Sequence, residues 1–389
     1  MSTENQHYQA TKLQQFAALL LPCYAYIAML GIPMSFSGII DGFTVSAATA
    51  TAATTAEIIC ISIASLFVSL VLSHLRPRTT IVIGVVLAIV GQALTIQTTE
   101  FYNVVFYRGI TGIGEGLCIA IGLASLAQMN GGTRLLSYAS GLTAALTLAA
   151  FLAVPSLQAT IGPKAMFWFM LVGAVICLPL AFALPNKKID RLIENSSIGN
   201  AFNIRSVSLF VLCLLTSIGA NTCWLYFEQV GGSAGLDLAQ VGVVGSVSML
   251  CSILVPVAAN LVFNRVKSVL PLLVACLLMA VTSYLYVVPN ASVYWTIGIT
   301  MTFLYVFLIA YARMYSADFD SSGRSTAAVG GADSLGMVIG PVLAAVTLNL
   351  DAGFRPLGDF GVVMQLLCIV PALFIFMAYR SKTRPQASH

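Results

Sequence analysis

A chain of 389 residues of which 59% are hydrophobic and only 8% charged lies far from the roughly 25% charged residues of soluble domains. At about 20 apolar residues per bilayer crossing, this length leaves room for roughly twelve spans and excludes a sizeable soluble domain. The formal net charge of +4 says less than the placement of the charges in the loops, and no nucleic-acid partner is expected.

The polar segment 1–15 reads as a cytoplasmic tail. Apolar stretches follow at 16–40, 46–72, 79–98, 102–127, 136–157 and 165–184. A polar central loop, 185–205, separates them from six more at 206–227, 241–263, 269–288, 293–314, 326–348 and 362–379, and 380–389 forms a second tail. The first stretch runs into a loop without a small-residue cleavage site and reads as a retained span. Barrel strands need only about 9–11 residues, so these lengths predict helices. Backbone satisfaction in lipid then makes the bundle all-helical. The expected fold is an all-α membrane protein with twelve transmembrane helices in two six-helix pseudo-symmetric halves, 16–184 and 206–379.

With the N-terminus inside, fifteen of the 18 basic residues fall in cytoplasmic loops and tails, against Lys164 and Arg355 outside. The bias predicts an inner-membrane protein with both termini cytoplasmic. Trp168 and Trp295 fall near outer span ends, where an aromatic belt is expected. All nine cysteines lie in apolar stretches, without a CxxC pair or metal-ligand spacing, and read as small buried hydrophobes. The three histidines are terminal or in a loop, and no GxxxxGK[ST] loop occurs. No enzyme, metal site, cofactor or ATP-driven pump is expected.

An internal repeat aligns SLVLSHLR (69–76) with NLVFNRVK (260–267), each at the cytoplasmic end of the second helix of its half. A tandem duplication in parallel orientation follows. Six plus six helices, a basic central loop and this repeated loop together resemble the major facilitator superfamily. Its loop motif, G-x3-D-R-x-G-R-[RK], is degraded here: Ser69 stands for the glycine, Ser73 for the aspartate and His74 for the arginine, with Arg76 and Arg78 as basic charges. The second copy has Asn264 at the aspartate position and keeps Arg265. The fourth span matches the family's R-x3-G-x-G motif through Arg108, Gly112 and Gly114, while the antiporter G-P step of the fifth helix is absent from 140–155.

The resemblance implies alternating access by a monomer, with a small organic solute bound between the halves near the midplane by the first, fourth, seventh and tenth helices. Tyr24, Tyr26, Arg108, Glu115, Asn221, Trp224 and Tyr305 are the candidate solute contacts. For any one tyrosine, packing is the competing role.

Ionisable groups at membrane depth cost roughly 2.5–3.5 kcal/mol each on insertion scales, which makes Glu57, Arg108, Glu115 and Asp333 candidates for proton coupling. Arg108 and Glu115 stand two turns apart on one helix face. Counted from the outer span ends, Glu57 is about eleven residues deep and Arg108 about six, within one and a half turns at 1.5 Å per residue. A charge-assisted pair between them would offset the insertion cost of both, and opening it would switch proton affinity. A static ion pair is the competing reading. Asp333 serves as a second proton site, as a partner for a polar group in the second half, or as a group hydrated from the cytoplasmic cavity, and Glu228 is expected at the outer interface. In the repeat register Glu57 falls on Ser248, Arg108 on Ile299 and Glu115 on Val306, concentrating the charged chemistry in the first half. A membrane sensor or assembly factor that kept the fold without transport is the alternative function.

Overall fold

The computed structural model describes residues 10–71, 74–129, 132–186, 204–319, 324–348 and 353–383. The chain divides into two compact units, Met1–Glu194 and Asn195–His389. Unit 1 carries α1 (Lys12–Leu30), α2 (Ile32–Phe43), α3 (Ala47–Val71), α4 (Pro77–Gln97), α5 (Phe101–Gln128), α6 (Gly132–Ile161) and α7 (Ala165–Ala181). Unit 2 carries α8 (Ile204–Leu225), α9 (Phe227–Ser233), α10 (Leu238–Ser252), α11 (Val255–Val266), α12 (Leu270–Tyr286), α13 (Ala291–Phe319), α14 (Arg324–Leu348), α15 (Arg355–Leu367) and α16 (Ile369–Thr383). The expected central loop and both tails lie largely outside the described residues.

Among the described residues, nine helices are long and apolar enough to cross a membrane, and α10 with α11 makes a tenth as one span bent by 42°. The predicted stretches 165–184 and 269–288 hold α7 and α12, apolar helices of 17 residues each, or about 26 Å against a hydrocarbon core of about 30 Å. Each predicted stretch therefore carries helix, but length and composition qualify ten spans rather than twelve. Two predicted single helices are broken where proline enters: Pro33 sits in the first turn of α2 and Pro256 in that of α11. Proline has no N–H to give and its ring clashes with the carbonyl four residues back. The last stretch begins at Arg355 rather than 362, because the exposed i,i+4 pair Arg355 and Asp359 continues the helix past the apolar pattern.

Apolar side chains are exposed on many helices, among them Ile63, Leu66 and Phe67 on α3, Val172 and Ile176 on α7, and Leu278 and Val281 on α12. A surface of this kind is matched to lipid. In unit 1, α4 and α7 are tied at both ends by cations on backbone carbonyls. Lys164, before α7, donates to Ile96 O at 2.9 Å and Thr98 O at 2.7 Å, and Arg78, at the start of α4, donates to Leu184 O at 2.7 Å. Lys164 compensates orphan carbonyls at the C-terminus of α4, and Arg78 holds the turn that follows α7.

α5 lies at the heart of unit 1, packed against α3, α4 and α1. Two of its glycines make this possible. A Cβ on Gly112 would strike the backbone carbonyl of Glu57, and one on Gly114 would come within 2.7 Å of Ala88 N on α4. In unit 2, α8 packs on α14 in the same close manner, with Thr222 Oγ1 donating to Gly340 O at 3.1 Å.

Candidate functional site

The approach of α3 to α5 places the Glu57 carboxylate on the Arg108 guanidinium. Arg108 Nε donates to Glu57 Oε2 at 3.0 Å and Nη2 donates to Oε1. From α4, Gln92 Oε1 accepts from Arg108 Nη1 at 2.8 Å, and the ring of Phe167 on α7 lies 5.0 Å from the guanidinium carbon. Only 2% of Glu57 and 1% of Arg108 is exposed, and Gln92 is fully buried. The bidentate geometry satisfies both carboxylate oxygens, which is what a buried pair requires. The pairing expected from depth along the spans is present. Gln92 was not among the expected residues, and nothing in its sequence neighbourhood marks it apart from being an amide in an apolar span.

Glu115 stands two turns along the same helix, fully buried, and neither of its carboxyl oxygens has a hydrogen-bond donor. The Glu57 carboxyl is among the charged groups that act on it. Two carboxylates are acceptors only, so a bond between them requires a proton on one. The site thus gathers two carboxyls and one guanidinium in the buried interior of unit 1. In unit 2 the corresponding helix pair is joined by neutral groups, Ser248 Oγ donating to Gly298 O at 3.3 Å.

Unit 2 has its own polar cluster. Asp333 on α14 accepts at Oδ1 from Tyr305 OH on α13 at 2.5 Å and from Ser217 Oγ on α8 at 2.9 Å. Asn221 Nδ2 donates to Ser217 O at 2.8 Å and, more weakly, to Tyr305 OH at 3.4 Å. Arg313 Nη2 approaches Oδ2 at 3.4 Å with half its side chain exposed. Asn221, Tyr305 and Asp333, which sequence reasoning named separately, form one network, and Ser217 and Arg313 are the members it missed. Trp224 is half-buried a turn beyond Asn221, its ring 5.0 Å from Phe227.

The remaining candidates are scattered. Tyr24 is buried with its hydroxyl donated to Met170 O at 2.9 Å, and Tyr26 is half-buried on α1. Of the loop motif, His74 and Arg76 are exposed, Arg78 is held by Leu184 O, and Asn264 and Arg265 are exposed at the end of α11. Ser73 and the side chain of Ser69 lie outside the described residues. Glu228, expected at the outer end of the seventh span, lies just past α8 in the first turn of α9 and is buried against the protein. An apolar cleft of about 740 Å³ beside α1, α6 and α7, lined by Trp168, Phe169 and Ile176 among others, offers no charged group.

Helices throughout, apolar faces outward and ionisable side chains buried within the spans define a multi-pass membrane protein. The sequence matches the family model of the Major Facilitator Superfamily over residues 17–318, and the chain belongs to that family. The nucleoside transporter NupG superposes with a TM-score of 0.72 at 14% identity, over 95% of this chain and 100% of that one. A bacterial homologue of the human lysosomal transporter Spinster, inward-facing and unoccupied, superposes with a TM-score of 0.71 at 11% identity over the whole of both chains. A point mutant of NupG gives 0.68 at 14% identity, over 94% of this chain and 98% of that one. No curated protein sequence matches significantly. At these identities the structures establish a shared fold, that of a family of small-solute transporters.

Proposed function

We propose that the chain is a secondary active transporter that moves a small organic solute across the inner membrane by alternating access, driven by protons. The observation that supports proton coupling is the excess of one buried carboxyl over buried cation in unit 1. Such a site is neutral with one proton aboard and carries one negative charge without it. In a low-dielectric interior that difference is large enough to bias a conformational equilibrium. Tyr305, Asn221, Ser217 and Asp333 supply hydrogen-bonding groups for the polar part of a solute, with Trp224 a turn away for an apolar or planar part.

The halves are taken as 16–184 and 206–379, and the positive-inside bias supports cytoplasmic termini. The cation ties fit the order of the spans, since they join Lys164 to Thr98 at one end of α4 and α7 and Arg78 to Leu184 at the other. The protein acts as a monomer in this reading, and the direction of transport is left to experiment.

The test is purified protein in liposomes with an imposed pH gradient and a panel of radiolabelled metabolites. Nucleosides belong on it because NupG carries them. Gradient-dependent flux is expected for at least one solute. Ligand binding by thermal shift without flux under any gradient would favour the alternative, a sensor with this fold. Two features lean that way: the loop motif has no aspartate, and its Arg78 is committed to the Leu184 carbonyl.

A further inference from the structure

We infer that Glu115 is the group that exchanges the proton, that Glu57 is a fixed counter-charge to Arg108, and that Gln92 is a positioning residue keeping Arg108 on Glu57. The inference deepens the proton-coupled reading and rests on it.

Three observations converge. Arg108 gives Nε and Nη2 to Glu57 and Nη1 to Gln92, so one donor on each of its three nitrogens is spent away from Glu115. Phe167 lies over the guanidinium and limits its swing. Glu115 is fully buried and receives no donor at either oxygen. An ionised carboxylate in that position would be uncompensated, whereas the neutral acid can donate to Glu57. The titratable and charged groups around Glu115 are Glu57 from α3, Tyr24 from α1, and Arg108 and Cys118 from its own helix. Tyr24 gives its hydroxyl to Met170 O, and from α4 the neutral amide of Gln92 faces Arg108. In the exchange step the O–H bond of Glu115 breaks, its electron pair stays on the carboxylate, and water takes the proton.

Gln92 matters because Arg108 and Glu115 share a helix face. Without the Gln92 carbonyl, Nη1 is free to turn toward Glu115, which then holds its proton less tightly.

Infrared difference spectroscopy of the purified full-length protein in nanodiscs, across a pH titration, reads protonated carboxyl groups directly and needs no transport. The wild type is expected to show a titrating carboxylic C=O band that Glu115→Gln abolishes and that Glu57→Gln, which frees Arg108 toward Glu115, shifts to lower pH without removing. Gln92→Met is expected to bind the proton about tenfold less tightly, moving the titration by about one pH unit, while Gln92→Glu, which retains an acceptor for Nη1, keeps the band. A purely structural Gln92 would change the melting point and leave the titration in place. Should Glu115→Gln fail to fold, labelling of the wild type with a hydrophobic carbodiimide, which adds to protonated carboxyls, followed by peptide mass spectrometry is expected to place the adduct on Glu115. A band that survives Glu115→Gln and vanishes in Glu57→Gln, or an adduct on Glu57, overturns the assignment. A normal band with no gradient-driven flux would instead count against the transport reading.

Discussion

Glu57 on α3 offers both carboxylate oxygens to Arg108 on α5, and neither partner is exposed by more than 2%. Removing one partner leaves a buried charge uncompensated. Arg108→Met is therefore expected to destabilise the protein by about 3–5 kcal/mol, and the double variant Glu57→Met/Arg108→Met to recover most of that loss. Thermal melting in detergent measures both, and a double variant no more stable than the single one would contradict the account.

Gly112 sets the distance across which that pair forms. Alanine there drives a Cβ into the Glu57 carbonyl, backbone that yields only if α3 shifts. The expected cost is about 1–3 kcal/mol, with loss of function beyond what stability explains. Gly141→Ala is the control: a Cβ there meets nothing within 4 Å, and alanine in a helix interior is favoured over glycine by about 1 kcal/mol. Melting points of the two variants should move in opposite directions.

The Asp333 network separates strong from weak partners. Tyr305→Phe and Ser217→Ala each remove a hydrogen bond to a carboxylate and should cost about 1.5–3 kcal/mol. Arg313→Ala touches a half-exposed contact at 3.4 Å and should cost under about 1 kcal/mol. Equal effects from all three in melting experiments would show that the ion pair, not the hydroxyl network, holds Asp333.

Lys164 offers a pH signature. Partial burial lowers its amine from the ordinary lysine value of 10.5, so the folded state binds that proton less tightly than the unfolded chain. Stability then rises with pH through the alkaline window just below that value. Melting points of wild type and Lys164→Met, compared across this range, should show the wild type gaining on the variant as pH rises. At neutral pH the variant loses the tie to Ile96 and Thr98 and should be the less stable of the two.

Spans, the helical class and the family were legible because they depend on local properties: runs of apolar residues and short motifs. Arg108, Gly112 and Gly114 were visible as a motif, and depth along the spans was enough to pair Arg108 with Glu57. Depth carries no information about helix rotation, however. Gln92 went unnoticed for that reason, and Glu115 could not be told from Glu57 as a proton carrier. The short helix α9 that buries Glu228 against the protein was not legible either, because hydropathy does not register the turn at Tyr226.

The sequence by itself determined that this protein crosses a membrane many times, which family it belongs to and which ionisable residues lie at depth, since lipid forces each segment to satisfy its own backbone. Tertiary structure alone decided how those residues divide Arg108 among them. Hydrogen bonds are resolved over tenths of an ångström, and close glycine contacts between α3, α4 and α5 set the helix rotations that give the guanidinium to Glu57 and Gln92 and leave Glu115 without a donor.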